Sequence, residues 1–206
     1  NGTFHIEFIG IEYAMDVEYP TPKYITTQES ILYEYVKSKH STYIYFNTGI
    51  HDACLPIKNF KKARNYAKNL RKYFDLALKV SPNERLIWLT TSGVNPQKQP
   101  LKWKKILTNR IIQEFNSVSV ELAKQRDISV IDLFQLSQAS NFKNLTKDGV
   151  HYGAPNQPYY LEVARNILSH FFAQENLKYE EVEVDDNWNY DPYHGWILSP
   201  TAMLIS

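Results

Sequence analysis

Short apolar runs alternate along this chain with longer stretches of helical period, and that alternation limits the folds open to it. Phe4–Ile11 begins as an apolar–polar alternation and becomes apolar, and Tyr43–Phe46 is aromatic and β-branched throughout. Arg85–Thr90 and Ile128–Leu133 have the same character. Such runs, bounded by turn formers, read as strands. Between them lie stretches whose apolar residues recur every three or four positions. Gln28–Ser38 carries Ile31, Leu32, Tyr35 and Val36. Ile57–Val80 carries Phe60, Ala63, Ala67, Leu70, Phe74 and Ala77, and Ser81-Pro82-Asn83 ends it. Trp103–Gln125 carries Ile106, Ile111, Phe115, Val118 and Leu122, and Pro158–Gln174 carries Leu161, Ala164, Ile167, Leu168 and Phe171. This spacing predicts amphipathic helices. Strands alternating with helices predict an α/β layer around a mostly parallel sheet.

Composition narrows the class. Hydrophobic residues are 43% of the 206 and charged residues 22%, enough for a core and too apolar for a disordered polymer. Lysine and arginine number 23 against 22 aspartates and glutamates, a net charge of +1, which excludes a globally basic nucleic-acid binder. No apolar run approaches the roughly 20 residues of a membrane span. Residues 1–176 read as one domain. Residues 177–206, with Glu180, Glu181, Glu183, Asp185 and Asp186 among Tyr179, Trp188, Tyr190, Tyr193 and Trp196, read as an extended acidic-aromatic tail. The chain starts at Asn1 with no methionine and no signal-like stretch, which reads as a segment of a longer polypeptide. Cys54 is the one cysteine, so it is a buried thiol or pairs with another chain. Two sequons, at Asn1 and Asn144, are candidate glycosylation sites if the chain enters the secretory pathway.

In an open parallel sheet, ligands sit beyond the carboxyl ends of the strands. Asn47-Thr48-Gly49-Ile50-His51-Asp52 follows the Tyr43–Phe46 strand. Asp148-Gly149-Val150-His151 follows the Ile128–Leu133 strand across a polar loop. An aspartate three residues before a histidine can hold the imidazole in the tautomer of a general base. Asn47 and Gly49 suit an oxyanion site, with turn chemistry as the plainer reading. His51 and Asp52 read as a hydrogen-bonded pair, with a site-lining role as the alternative. Asp191–His194 repeats the spacing in the tail and reads as fortuitous. No metal-ligand spacing and no cofactor motif is present. Lys58, Lys61, Lys62, Arg64, Lys68, Arg71 and Lys72 read as a solvated helix face; an anionic polysaccharide or acidic partner is the functional alternative.

Two segments carry a resemblance. Phe46-Asn47-Thr48-Gly49, followed by His51, resembles the asparagine-threonine-glycine-histidine segment of the PC-esterase branch of the SGNH/GDSL hydrolases. Asp148-Gly149-Val150-His151-Tyr152 resembles that branch's aspartate-x-x-histidine block. The branch includes the trichome-birefringence-like acetyltransferases and the neurexophilin-and-esterase domain proteins. The similarity runs over most of residues 4–172. It implies a three-layer αβα sandwich and a serine–histidine–aspartate triad acting on ester-linked acyl groups, often acetyl on sugars. His151 would then be general base, Asp148 its orienter, and Asn47 and Gly49 oxyanion-side groups, with no cofactor.

The sequence departs from that pattern in having no Gly-Asp-Ser, the branch's nucleophile motif. Its first strand resembles the family's second. The sheet is therefore expected to lack its first strand in this chain, and an upstream segment or second chain would supply both strand and serine. The rival expectation is an inactive descendant, a structural or carbohydrate-binding module of an extracellular assembly. Both imply a secreted or luminal protein.

Overall fold

A computed structural model describes residues 6–7, 43–54, 59–80, 85–152, 158–174, 188–191 and 195–198. In chain order the elements are β1 (Ile6–Glu7), β2 (Ile44–Phe46), α1 (Ile50–Cys54), α2 (Asn59–Val80), β3 (Leu86–Leu89), α3 (Leu101–Lys104), α4 (Asn109–Lys124), β4 (Ser129–Ile131), α5 (Leu133–Gln138), α6 (Pro158–Gln174), β5 (Trp188–Asp191) and β6 (Gly195–Leu198). The chain divides into two compact units, Ile11–Val150 and a second made of Asn1–Gly10 with His151–Ser206.

The Ile11–Val150 unit holds a parallel sheet in the order β2-β3-β4. Ile44 pairs with Leu86, Phe46 with Trp88, Ile87 with Ser129 and Leu89 with Ile131. Parallel neighbours need long crossovers. Helix α2 supplies the first and the α3–α4 segment the second. All four residues of central β3 are buried, whereas β2 buries only Phe46 and the three residues of β4 are half-buried. Among the described strands, β2 and β4 are therefore the edges.

The core is aromatic at its centre. Phe46, Phe74 and Trp88 meet edge to face, with ring centroids 5.1–5.5 Å apart, the arrangement that ring quadrupoles favour. Tyr66 of α2 stacks on Phe115 of α4 at 4.3 Å. The Trp88 indole donates to Ser119 Oγ at 2.9 Å, so its buried N–H is satisfied. Leu70, Phe74 and Ala77 lie inward as their spacing predicts, joined by Tyr66 and Tyr73.

Four expectations need correction here. Lys62 is not on the solvated face: it is buried, and its ammonium donates to the Ala53 carbonyl at 2.7 Å. Burial lowers its pKa, and Cys54 opposes that shift. The Trp103–Gln125 helix is two helices, because Thr108 is extended and caps α4, its hydroxyl accepting from Ile111 N at 3.3 Å. The Ile128–Leu133 strand stops at Ile131, because Asp132 caps α5 and accepts from Phe134 N and Gln135 N. Finally, α1 begins within the stretch read as a loop after β2.

The second unit contains α6, which buries Tyr159, Val163, Ala164, Ile167, Leu168 and Phe172. Its sheet is antiparallel, β1-β6-β5, with Ile6 opposite Leu198 and Tyr190 opposite Trp196. The run Phe4–Ile11 was expected in the parallel sheet; its described part, Ile6–Glu7, instead pairs with the C-terminal strand β6. Alternation of side chains specifies a strand's faces but not its partner. The Gln28–Ser38 helix lies outside the described residues.

Candidate functional site

Three parallel strands running the same way present their carboxyl ends along one edge of the sheet. Residues 47–49, 90–95 and Asp132 leave from that edge, and hydrogen bonds tie them together. Asn47 Nδ2 donates to the Leu89 carbonyl at 2.6 Å and, over a much longer 3.4 Å, to Thr91 Oγ1. The Thr48 carbonyl accepts from Thr91 Oγ1 at 3.0 Å and from Tyr66 Oη at 3.1 Å. Asn116 holds Thr91 in turn, accepting from its N–H and donating to its carbonyl, each at 2.8 Å. Thr90 Oγ1 donates to Asp132 Oδ1 at 2.8 Å.

Gly49 is buried with φ of +128°, and a Cβ there would stand 3.1 Å from both Thr91 Oγ1 and Tyr66 Oη. The sequence thus needs glycine for conformation and for space. Thr48 Oγ1 is buried without a hydrogen-bond partner. His51 and Asp52 follow on α1, His51 exposed and Asp52 buried. Consecutive helical residues do not face one another. Burial, with the charge of Asp52 added, holds the Tyr66 phenol well above its ordinary pKa.

The Asp148 segment is built differently. Asp148 is half-buried, and its Oδ1 accepts from Val150 N at 3.0 Å, closing a tight turn. Gly149 lies at φ +84°, and its carbonyl accepts from Asn95 N at 2.8 Å. The segment is thereby fastened to the loop that follows β3. His151 is exposed and begins the second unit, in which Tyr152 is buried and stacks on Tyr159 at 4.0 Å.

Asn144 is exposed; its Oδ1 accepts from Asn95 Nδ2 at 3.3 Å, while Thr146 of the same sequon is buried. Asn1 and His194 lie outside the described residues. Cys54 is half-buried, its thiol pushed up by burial against the opposing charge of Lys62. Among the described residues no group of three or more His, Cys, Asp or Glu could hold a metal ion, and no helix is long and apolar enough to cross a membrane. Sequence reasoning missed Tyr66, Thr91, Asn95 and Asn116. A polar Thr90-Thr91 pair ending an apolar strand and an asparagine within an amphipathic stripe were the available signals.

Among solved structures, the chain is similar to the lipase/acylhydrolase from Enterococcus faecalis, with 16% sequence identity and a TM-score of 0.53 over 75% of this chain and 71% of that one. The fold is SGNH-like. The α/β class with a parallel sheet, expected from the strand–helix alternation, is the class observed. At this identity the likeness speaks to the fold alone. No protein-family model matches the chain, and no curated protein matches it.

Proposed function

We propose that this chain is the portion, downstream of the nucleophile, of an SGNH-type esterase or O-acyltransferase of the PC-esterase branch. Its substrates are acyl esters of glycans, chiefly acetyl, in the secretory lumen or outside the cell. The observation that carries the reading is the Asn47-Thr48-Gly49 turn at the carboxyl end of a parallel strand in an SGNH-like fold. Asp148, three residues before His151, orients it, and His151 takes the proton of a serine hydroxyl as that oxygen attacks the acyl carbon. The tetrahedral oxyanion is met by amides near Asn47 and Gly49, with His51 at the border. The bond to the sugar oxygen breaks and that oxygen takes the proton from His151. Water or a second hydroxyl then removes the acyl group from the serine. The serine comes from an upstream segment or a second chain, since this sequence has no Gly-Asp-Ser.

One observation favours the rival, a non-catalytic glycan-binding or structural module. Both hydrogens of the Asn47 amide are directed within the protein, to Leu89 O and Thr91 Oγ1. The second bond is long, beyond the usual 2.7–3.2 Å range, so an oxyanion role requires that hydrogen to be redirected. A fluorophosphonate probe, applied to the natively isolated protein and followed by peptide mapping, separates the two readings. A labelled Gly-Asp-Ser peptide, with labelling abolished in His151→Ala, is the expected result. Complete peptide coverage without label overturns the enzymatic reading.

A further inference from the structure

A groove of about 300 Å³ opens beside the carboxyl ends of β3 and β4, between α4 and α5, lined by Thr90, Gln113, Asn116, Ser117, Asp132, Phe134 and Gln135. Its size is at the lower end of small-ligand sites, which run from roughly 300 to 1,000 Å³. We infer that this groove binds an uncharged, hydroxyl-rich ligand, a unit of a neutral glycan. The inference does not rest on the acyl-transfer reading: it concerns binding and requires no nucleophile.

Asp132 carries the argument. Its Oδ1 accepts three bonds, from Thr90 Oγ1 at 2.8 Å, Phe134 N at 3.0 Å and Gln135 N at 3.2 Å. Those bonds fix the carboxylate. Among the described residues none is made to Oδ2, although the side chain is exposed and lines the groove. A fixed carboxylate with one oxygen left over is an acceptor-only group, suited to hydroxyl hydrogens. Its neighbours are complementary. The Gln113 and Gln135 carboxamides are exposed and take no hydrogen bond from the described residues, and each offers both donors and an acceptor. The Ser117 hydroxyl donates to Gln113 O at 2.8 Å, leaving its oxygen to accept. Sugar hydroxyls both donate and accept, so they match this mixed wall.

The same wall rejects other classes. It contains no lysine or arginine, and its one charge is negative, so phosphates and uronates are repelled. Its single aromatic ring, Phe134, is 7% exposed and offers little surface to an acyl chain. Thr90 and Asn116 are spent on internal bonds and form the floor.

The test is a titration of the isotope-labelled full chain with xylotetraose, and separately with tri-galacturonate, followed by amide chemical shifts. Saturable shifts at residues 113–117 and 132–135 with xylotetraose, and at least fivefold weaker binding of tri-galacturonate, are expected. Gln113→Ala with Gln135→Ala, both exposed positions, should weaken xylotetraose at least fivefold with circular dichroism unchanged. Asp132→Asn, which retains a helix cap, should do the same. Absence of saturable shifts, shifts confined to other residues, equal or tighter binding of the uronate, or unchanged affinity in the glutamine double variant each overturns the proposal.

Discussion

Gly149→Ala introduces a methyl group where the Asp148 segment meets the loop after β3. An ideal Cβ at Gly149 would lie 2.5 Å from the Asn95 carbonyl oxygen and 2.7 Å from both Gln99 N and Gln99 Cγ. Two of those neighbours are backbone atoms, which cannot swing aside as a side-chain tip can. Relief requires the two segments to part, at the expense of the 2.8 Å bond from Asn95 N to Gly149 O. At φ +84° the alanine is also strained. A left-handed alanine costs about 1–2 kcal/mol, steric overlap about 1–3, and the broken hydrogen bond about 1. The variant should thus lose about 3–6 kcal/mol, a fall of about 1.5–3 M in the urea midpoint at a slope of about 2 kcal/mol per M. Tryptophan fluorescence in a urea series reads it, with the exposed neighbour Lys147→Ala as a control expected within about 0.5 kcal/mol of the parent. A loss below about 1 kcal/mol for Gly149→Ala would mean that the Asp148 turn is not seated against Asn95 and Gln99, and the steric reasoning would fail.

Asn116→Ala strips partners from the buried N–H and carbonyl of Thr91, and should cost about 2–6 kcal/mol in the same urea assay. Tyr66 and Tyr73 are buried and hold their phenol protons above the ordinary range because burial disfavours the phenolate. Unfolded tyrosines ionise near pH 10, so their contribution is intact below that pH. Above it, stability should fall by about 1.4 kcal/mol per pH unit for each tyrosine until the folded groups also ionise. Denaturation followed at pH 8, 10 and 11 checks this; a flat profile would contradict the burial of both phenols. Burial also raises the Cys54 thiol, so iodoacetamide at pH 7.5 should alkylate the folded chain more slowly than the urea-unfolded chain, read by intact mass.

Where helical period and apolar content agreed, the elements were readable in advance. Helix α2 was expected at Ile57–Val80 and runs Asn59–Val80, because its stripe of Leu70, Phe74 and Ala77 leaves one face to bury. Boundaries set by a capping side chain were harder to read. Thr108 divides a stretch that is periodic on both sides, and Asp132 converts the end of a strand run into a helix start. The candidate turn Asn47-Thr48-Gly49 was visible as residue types. Its supports were not, since Thr91 Oγ1 and Tyr66 Oη lie 43 and 18 residues away from Thr48.

Periodicity and turn chemistry are local properties, so the α/β class, the α2 stripe and the small, polar residues after β2 are legible from the chain alone. Strand pairing is settled by contacts distant in the chain, and the fold sets Ile6–Glu7 against β6 rather than in the parallel sheet. It also took Lys62 out of the basic face, spent the Asn47 amide on Leu89 and Thr91, and left Asp132 Oδ2 open in a groove. Those outcomes depend on which distant groups meet, and a hydrogen bond between residues far apart in the chain leaves no period in the sequence.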